Sequence, residues 1–395
     1  MNDELYRGIY TLPRIERVVF GEPAADVVAK EATRLGAKRV FVLSAALLAE
    51  QTDVPARLAA ALGTHHAATW CGISAHTPRD DVIAAVDAAR RTGADLLVAL
   101  GGGSVIDAAK VVATCLANEV RTVDQMDALR KAPAQSMTAA GAGVRAPQLP
   151  LLAVPTTLAG AEFTAYAGVT HPQTRLKEVF THPQQVPRVV VLDPAVTLHT
   201  PETLWLSTGV RALDHAVEDI CSIDAQPYSQ GTALQAIRLL TRALPASHRD
   251  AANLRARLDA QVAGWLSTVG SQAGVNKGAS HGIGHALGGT GGVPHGLTSC
   301  ILMPHVMRFN EPVVREQHAM ISEAMGQPGV PAWQAVAALI DGLGLPRTLR
   351  EVGLDDDEAI EAVAQAAMLD PWIRTNPRPI KGVETVRMLL EAARG

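Results

Sequence analysis

Between residues 39 and 193, short uninterrupted apolar runs alternate with segments of helical periodicity, and after about residue 200 the runs stop. A strand that is apolar on both faces must be covered on both, and strands separated by helices return in the same direction. The first half is therefore confined to a mostly parallel sheet with helices on either side. Strands are expected at 39–44 (RVFVLS), 68–73 (ATWCGI), 95–100 (DLLVAL), 149–154 (LPLLAV) and 188–193 (RVVVLD). Helices are expected at 46–62 and 104–117. Another opens at Thr77-Pro78-Arg79-Asp80, where Thr77 can cap, Pro78 suits the first helical position and Asp80 supports the first turn. Residues 119–148, rich in turn formers, read as an irregular excursion.

Beyond Asp193-Pro194 helical periodicity dominates. LWLSTGVRALDHAVEDICS, GTALQAIRLLTRAL and RARLDAQVAGWLSTVGS carry long apolar faces. The spacing predicts two domains, an α/β domain at 1–195 and an all-α domain at 196–395. A chain of 395 residues is long enough to give each its own core.

Several function classes drop out on composition. The formal net charge is −4 and the basic residues are scattered, which argues against a nucleic-acid surface. No run of about 18 apolar residues exists to span a membrane. MNDELYRGIY lacks the apolar core of a secretory leader. Cys71, Cys115, Cys221 and Cys300 are far apart and form no CxxC, as expected of free thiols in a reducing cytoplasm.

Two glycine- and threonine-rich turns follow expected strands. Gly101-Gly102-Gly103-Ser104 stands between a strand and a helix, where glycines admit a pyrophosphate and the helix N-terminus offers free N–H groups. A tight turn without a ligand is the bland alternative. Pro155-Thr156-Thr157-Leu158 ends another strand, where α/β sheets bind nucleotides, although both threonines could simply cap a following helix. Strand 39–44 ends in Ser44-Ala45, with no carboxylate for a ribose 2′-hydroxyl and no adjacent base for a 2′-phosphate. NADH is favoured, with NADPH the alternative.

The second half holds RALDHAVE (211–218) and HGIGHALGGTGGVPHG (281–296). His215, His281 and His295 have the look of a metal site built on helices, and His281 and His285 stand one turn apart. A divalent-cation site usually adds a carboxylate. One turn before His215 stands Arg211, whose guanidinium repels a cation. A bland reading pairs Arg211 with Asp214 or Glu218 inside its own helix.

With GGGSVIDAAK and VPTTLAGAEFT, these segments resemble the iron-containing alcohol dehydrogenase superfamily, and most closely its maleylacetate reductase branch. The resemblance runs from VVFG to NPRP. It implies the dehydroquinate synthase-like fold of iron-type alcohol dehydrogenases: a dinucleotide-binding α/β domain with a helical catalytic domain. In metal-dependent members the ligands are an Asp and three His, which fall on Arg211, His215, His281 and His295 here. The histidines match and the Asp does not. The resemblance therefore implies a metal-free reduction of maleylacetate, a keto dicarboxylate, to 3-oxoadipate during aromatic degradation.

The resemblance also distributes roles. Gly101–Ser104 with Asp107 would hold the cofactor pyrophosphate, Thr156, Thr157 and Leu158 its nicotinamide half, and Lys177 its ribose or phosphate. Arg211 would bind a substrate carboxylate or the enolate oxygen, and Asn276 and Lys277 would help to bind the substrate. His215, His281 and His295 would wall the pocket, with His285 as general acid. Family members are commonly dimers, so a homodimer is implied. The alternatives are a metal-dependent alcohol or aldehyde dehydrogenase, with His215, His281 and His295 as ligands, and a dehydroquinate synthase-like lyase.

Overall fold

The computed structural model describes residue 10 and residues 12–132, 139–174 and 176–395. Residues 1–9, read above for a leader, and 133–138 of the expected excursion lie outside the described residues. The chain forms two compact units: Pro13–Thr200, and Pro201–Gly395 together with the N-terminal segment to Leu12.

The first unit contains β1 (Arg17–Phe20), α1 (Ala24–Arg34), β2 (Val40–Ser44), α2 (Ala46–Gln51), α3 (Val54–Leu62), β3 (His66–Trp70), α4 (Arg79–Thr92), β4 (Leu96–Gly101) and α5 (Gly103–Ala117). They are followed by β5 (Leu151–Pro155), β6 (Tyr166–Thr170), β7 (Lys177–Thr181) and β8 (Val189–Leu192). Six strands in the order β1-β8-β5-β4-β2-β3 form the main sheet, and every neighbouring pair is parallel. Alternate residues feed two cores. Phe41, Leu43, Leu97, Ala99, Leu151 and Ala153 pack on the side of α4 and α5. Val40, Val42, Leu96, Val98, Leu100 and Leu152 pack on the side of α1 and α3. That double coverage is why the strands read as continuous apolar runs.

Four expectations need correction. Helix 46–62 is broken into α2 and α3, because Thr52 is extended and Pro55 cannot continue the helix entering from Gln51. Thr77 does not cap α4. It lies at φ +56°, Pro78 holds the cap position, and the Thr77 hydroxyl donates to the Ser104 carbonyl at 3.1 Å. No helix follows Thr156 and Thr157 for them to cap; only a short 3-10 turn at Ala161–Phe163 does. The β6–β7 antiparallel hairpin and the edge strand β1 were not expected. β1 is four residues long and half exposed, so it lacks the apolar signature of the inner strands.

The second unit is helical: α6 (Glu202–Cys221), α7 (Pro227–Arg249), α8 (Leu254–Ser267), α9 (Val269–Gln272), α10 (Ala279–Gly289), α11 (His295–Asn310), α12 (Arg315–Ala324), α13 (Ala332–Gly342), α14 (Asp357–Ala367) and α15 (Val383–Ala392). α6 is buried on nearly all sides from Trp205 to Cys221, so it is the central helix. Among the described residues, this unit contains no strand, and no helix of the protein is long and apolar enough to cross a membrane.

Candidate functional site

In the first unit the sheet order places β2 next to β4. The chain leaves β2 toward β3 and leaves β4 toward β5, so connections diverge from the carboxyl ends of two adjacent strands. A crevice of that kind is where open α/β sheets take nucleotides. Ser44, fully buried, ends β2, and the Ala45 N–H donates to the Leu100 carbonyl at 2.9 Å. Gly101 ends β4, and Gly102 caps the 15-residue α5. A Cβ on Gly101 would lie 2.8 Å from Val105 Cγ2, and one on Gly102 would lie 3.0 Å from Thr157 Cγ2. Only glycine allows this turn to close against the helix and the Thr157 turn while leaving the first N–H groups of α5 bare of side chain.

The adjoining Thr156 turn is held to it directly: the Thr156 N–H donates to the Gly101 carbonyl at 3.1 Å. Thr156, Thr157 and Leu158 are all buried. Asp107 faces elsewhere. Its Oδ2 accepts from the Gly168 N–H at 2.9 Å, and Oδ1 lies 3.7 Å from the buried Lys110 ammonium. It anchors the β6–β7 hairpin. Lys177 is exposed at the start of β7, its stem lying across Gly168.

In the second unit Arg211, Asp214, His215 and Glu218 lie along α6, and the i, i+3, i+4 and i+7 spacing puts them on one side of it. Asp214 is completely buried. Its Oδ2 accepts from Ser280 Oγ of α10 at 2.8 Å and Ser299 Oγ of α11 at 2.6 Å. Arg211 Nη1 donates to the same Ser299 at 3.1 Å and lies 3.9 Å from Asp214 Oδ2. The intrahelical pairing with Asp214 therefore exists, inside a network spanning three helices. Glu218 accepts from the backbone N–H groups of Gly278 and Ser280, each at 2.9 Å, and so caps α10. Its Oε2 lies 2.7 Å from His281 Nδ1.

Burial, and then the Asp214 charge, push the Glu218 carboxyl up to about 8. Burial raises Asp214 as well. The His215 and His281 imidazoles are held well below their ordinary range, first by burial and then by the Lys277 and Arg211 cations. Both are neutral at physiological pH.

All four expected histidines come together. His215 stacks on His281 with centroids 4.8 Å apart, and His285 on His295 at 5.9 Å. Trp372 stands against both pairs, 5.7 Å from His281 and 5.0 Å from His285. His285 is exposed and its Nδ1 lies 2.8 Å from Asp370 Oδ2, a carboxylate that orients the ring. Lys277 and Asn276, expected to help bind the substrate, are held by carboxylates of the protein itself. Lys277 is buried in an ion pair with Asp219 and donates to the His215 carbonyl at 3.1 Å. Asn276 is exposed and donates to Asp224 at 2.8 Å. Lys277 is thus committed to Asp219, since a buried ammonium keeps its charge only with its carboxylate partner, while Asn276 lies at the surface.

The arrangement differs from the metal centre that the three histidines suggest. Among the described residues, the ligand atoms that lie within 4.8 Å of one another belong to Asp214, Glu218 and His281, not to the histidine trio. Glu218 is already engaged by Gly278, Ser280 and His281, and Asp214 Oδ2 by Ser280 and Ser299, while Asp214 Oδ1 is buried without a partner. An ion placed there would also face the buried Arg211 guanidinium. Even so, His281 Nε2 and His215 Nδ1 are buried without a hydrogen-bond partner. They are open to a ligand atom.

Sequence reasoning missed Asp214 and Glu218 as members of the site in their own right, although their helical spacing from Arg211 was visible. Nothing local signals Asp370 and Trp372, which lie 85 or more residues from the histidines they touch.

Known proteins agree with both halves. A family model described as iron-containing alcohol dehydrogenase matches residues 15–194, and the C-terminal model of the Fe-containing alcohol dehydrogenase family matches residues 205–394. The chain is 33% identical to a maleylacetate reductase of Sphingobium indicum over 380 residues, covering 96% of each protein. It is 32% identical to a dehydrogenase of Alternaria alternata over 376 residues, covering 87% of this chain and 95% of the relative. The crystal structure of a maleylacetate reductase from Agrobacterium tumefaciens superposes with a TM-score of 0.81 at 28% identity, covering 99% of each chain. With the nucleotide crevice, the helical histidine cluster and these matches in place, the chain belongs to the iron-containing alcohol dehydrogenase family, as an oxidoreductase with a dinucleotide-binding fold.

Proposed function

We propose that this oxidoreductase uses NADH, or less readily NADPH, to reduce maleylacetate to 3-oxoadipate in the degradation of aromatic compounds, without a metal ion. One observation carries the reading: Arg211, at the position where the resemblance implies a metal-binding aspartate, is buried to 3% exposure between Ser299 and Asp214. A permanent charge in a low-dielectric interior does part of the electrostatic work of an ion, and costs no reorganisation during the reaction.

The cofactor supplies the hydride. Gly101–Ser104 and the α5 N-terminus receive its pyrophosphate, and Thr156, Thr157 and Leu158 its nicotinamide half. Addition of hydride to the conjugated C=C bond of the keto dicarboxylate leaves an enolate. Arg211 stabilises its negative charge while the neutral His215 and His281 line the pocket. His285, oriented by Asp370 and open to solvent, delivers the proton that completes the product and is reprotonated from water. Maleylacetate reductases among the full-length relatives support this choice of substrate.

The test is NADH oxidation by purified protein, with maleylacetate set against simple aldehydes, with and without added Zn²⁺ or Fe²⁺ and a chelator. Maleylacetate turnover that ignores the chelator is expected. The orphaned His281 Nε2 and His215 Nδ1 favour a second reading, a metal-dependent alcohol or aldehyde dehydrogenase. Stoichiometric metal in the purified protein, required for turnover of an aldehyde, would establish that reading instead.

A further inference from the structure

Behind the Arg211–Asp214 network lies a small cavity within the helical unit. Its polar lining comes from Asp214 and Glu218 of α6, Ser280 of α10, Asn310 of α11 and His318 of α12, and the rest of its wall is apolar side chains of α6 and α11. The space available to a water molecule is about 10 Å³, close to the least that holds one. Asp214 Oδ1, on a fully buried residue, has no hydrogen-bond partner. His318 is 4% exposed, and neither of its ring nitrogens has one. Two groups on different helices are thus left unsatisfied at the wall of one cavity of single-water size. Leaving a buried carboxylate oxygen or imidazole nitrogen unsatisfied forfeits its hydration without replacement, so such groups ordinarily take a protein or water partner.

We propose that this cavity binds one water molecule that bridges Asp214 Oδ1 to His318, making His318 a positioning residue for the Asp214 carboxylate. The water donates one hydrogen to Asp214 Oδ1 and meets a His318 nitrogen with its remaining capacity. Ser280 and Ser299 fix Oδ2 from the other side. Both oxygens then being held, the carboxylate plane cannot rotate, and the placement of Arg211 at 3.9 Å and of His281 Nδ1 at 3.6 Å from Oδ2 is fixed with it. The water itself depends only on the cavity, whereas the catalytic consequence rests on the function proposed above.

A crystal structure of the wild-type protein, at a resolution that orders internal water, is expected to show one water within about 2.6–3.2 Å of both Asp214 Oδ1 and a His318 nitrogen. An empty cavity would overturn the proposal. H318L and H318Q then test the consequence, with melting temperatures measured alongside. H318L is expected to lower kcat for maleylacetate about tenfold with KM unchanged, and H318Q, which keeps a donor and an acceptor, to recover most of the loss. A folded H318L with wild-type kcat would overturn the positioning role, as would equal losses in both variants. If H318L does not fold, H318Q decides: retained kcat with the water in place supports the role, and lost kcat with the water in place overturns it. A wild-type enzyme that ignores maleylacetate defeats the substrate assignment alone, since the density still decides the water.

Discussion

The two sites of this protein are built from opposite materials. The nucleotide crevice of the α/β unit is made of backbone: glycines, bare N–H groups and a threonine turn at the ends of adjacent parallel strands. The histidine cluster of the helical unit is made of ionisable side chains, most of them buried and held by hydrogen bonds and ion pairs to one another. In the crevice, substitution acts by steric filling, whereas in the cluster it acts by stranding a charge.

The sharpest break should come at Lys277. Lys277→Met leaves the buried Asp219 carboxylate without its partner, and a loss of about 3–5 kcal/mol in chemical denaturation is expected. A stable variant with only a raised KM would return Lys277 to substrate binding. Next, Arg211→Ala should lower kcat roughly 10²–10³-fold, read in steady-state NADH oxidation, because a preorganised charge is removed from a dry site. Near-wild-type turnover would leave Arg211 as framework only.

The α/β unit has its own buried charges, which supply a pH-dependent counterpart. Burial pushes the Glu162 carboxyl up from 4.5 to about 7, and pulls the neighbouring Lys110 down to about 8. A raised carboxyl pKa means that folding disfavours the ionised form. The Glu162 cost is absent below about 4.5 and complete above about 7, so stability falls as pH rises through that window. Glu162→Gln should remove this slope, and gain on the order of 2 kcal/mol over wild type at pH 8 relative to pH 4 in urea unfolding. An unchanged slope would place the titration elsewhere. The smallest effect belongs to the backbone site: Gly102→Ala presses on Thr157 Cγ2 at 3.0 Å and should weaken NADH binding about tenfold by calorimetry. Full affinity would mean that the turn can yield.

Much of the first unit could be read along the chain. Residues 40–44, 96–101 and 151–155 are apolar on both faces because both faces are covered, and that signal is local. The β6–β7 hairpin could not be read in this way. It is secured from a distance, by Asp107 on the Gly168 N–H and by Arg79 on Glu178, and its own alternation is weak. In the helical unit the four histidines were visible as a set. Their partners Asp370 and Trp372 were not, nor was Ser299 as the partner of Arg211 and Asp214, since no periodicity connects residues 85 or more positions apart.

Sequence by itself determined the layered α/β unit, the all-helical second unit, and the presence of an arginine one turn before His215, because strand burial, helix periodicity and residue identity are local properties. Tertiary structure alone decided that Lys277 belongs to Asp219, that Asp107 anchors a hairpin, and that Glu218 holds His281 while capping α10. The physical reason is that a buried charge is stable only where another chain segment brings its partner, and which segment arrives is settled by packing.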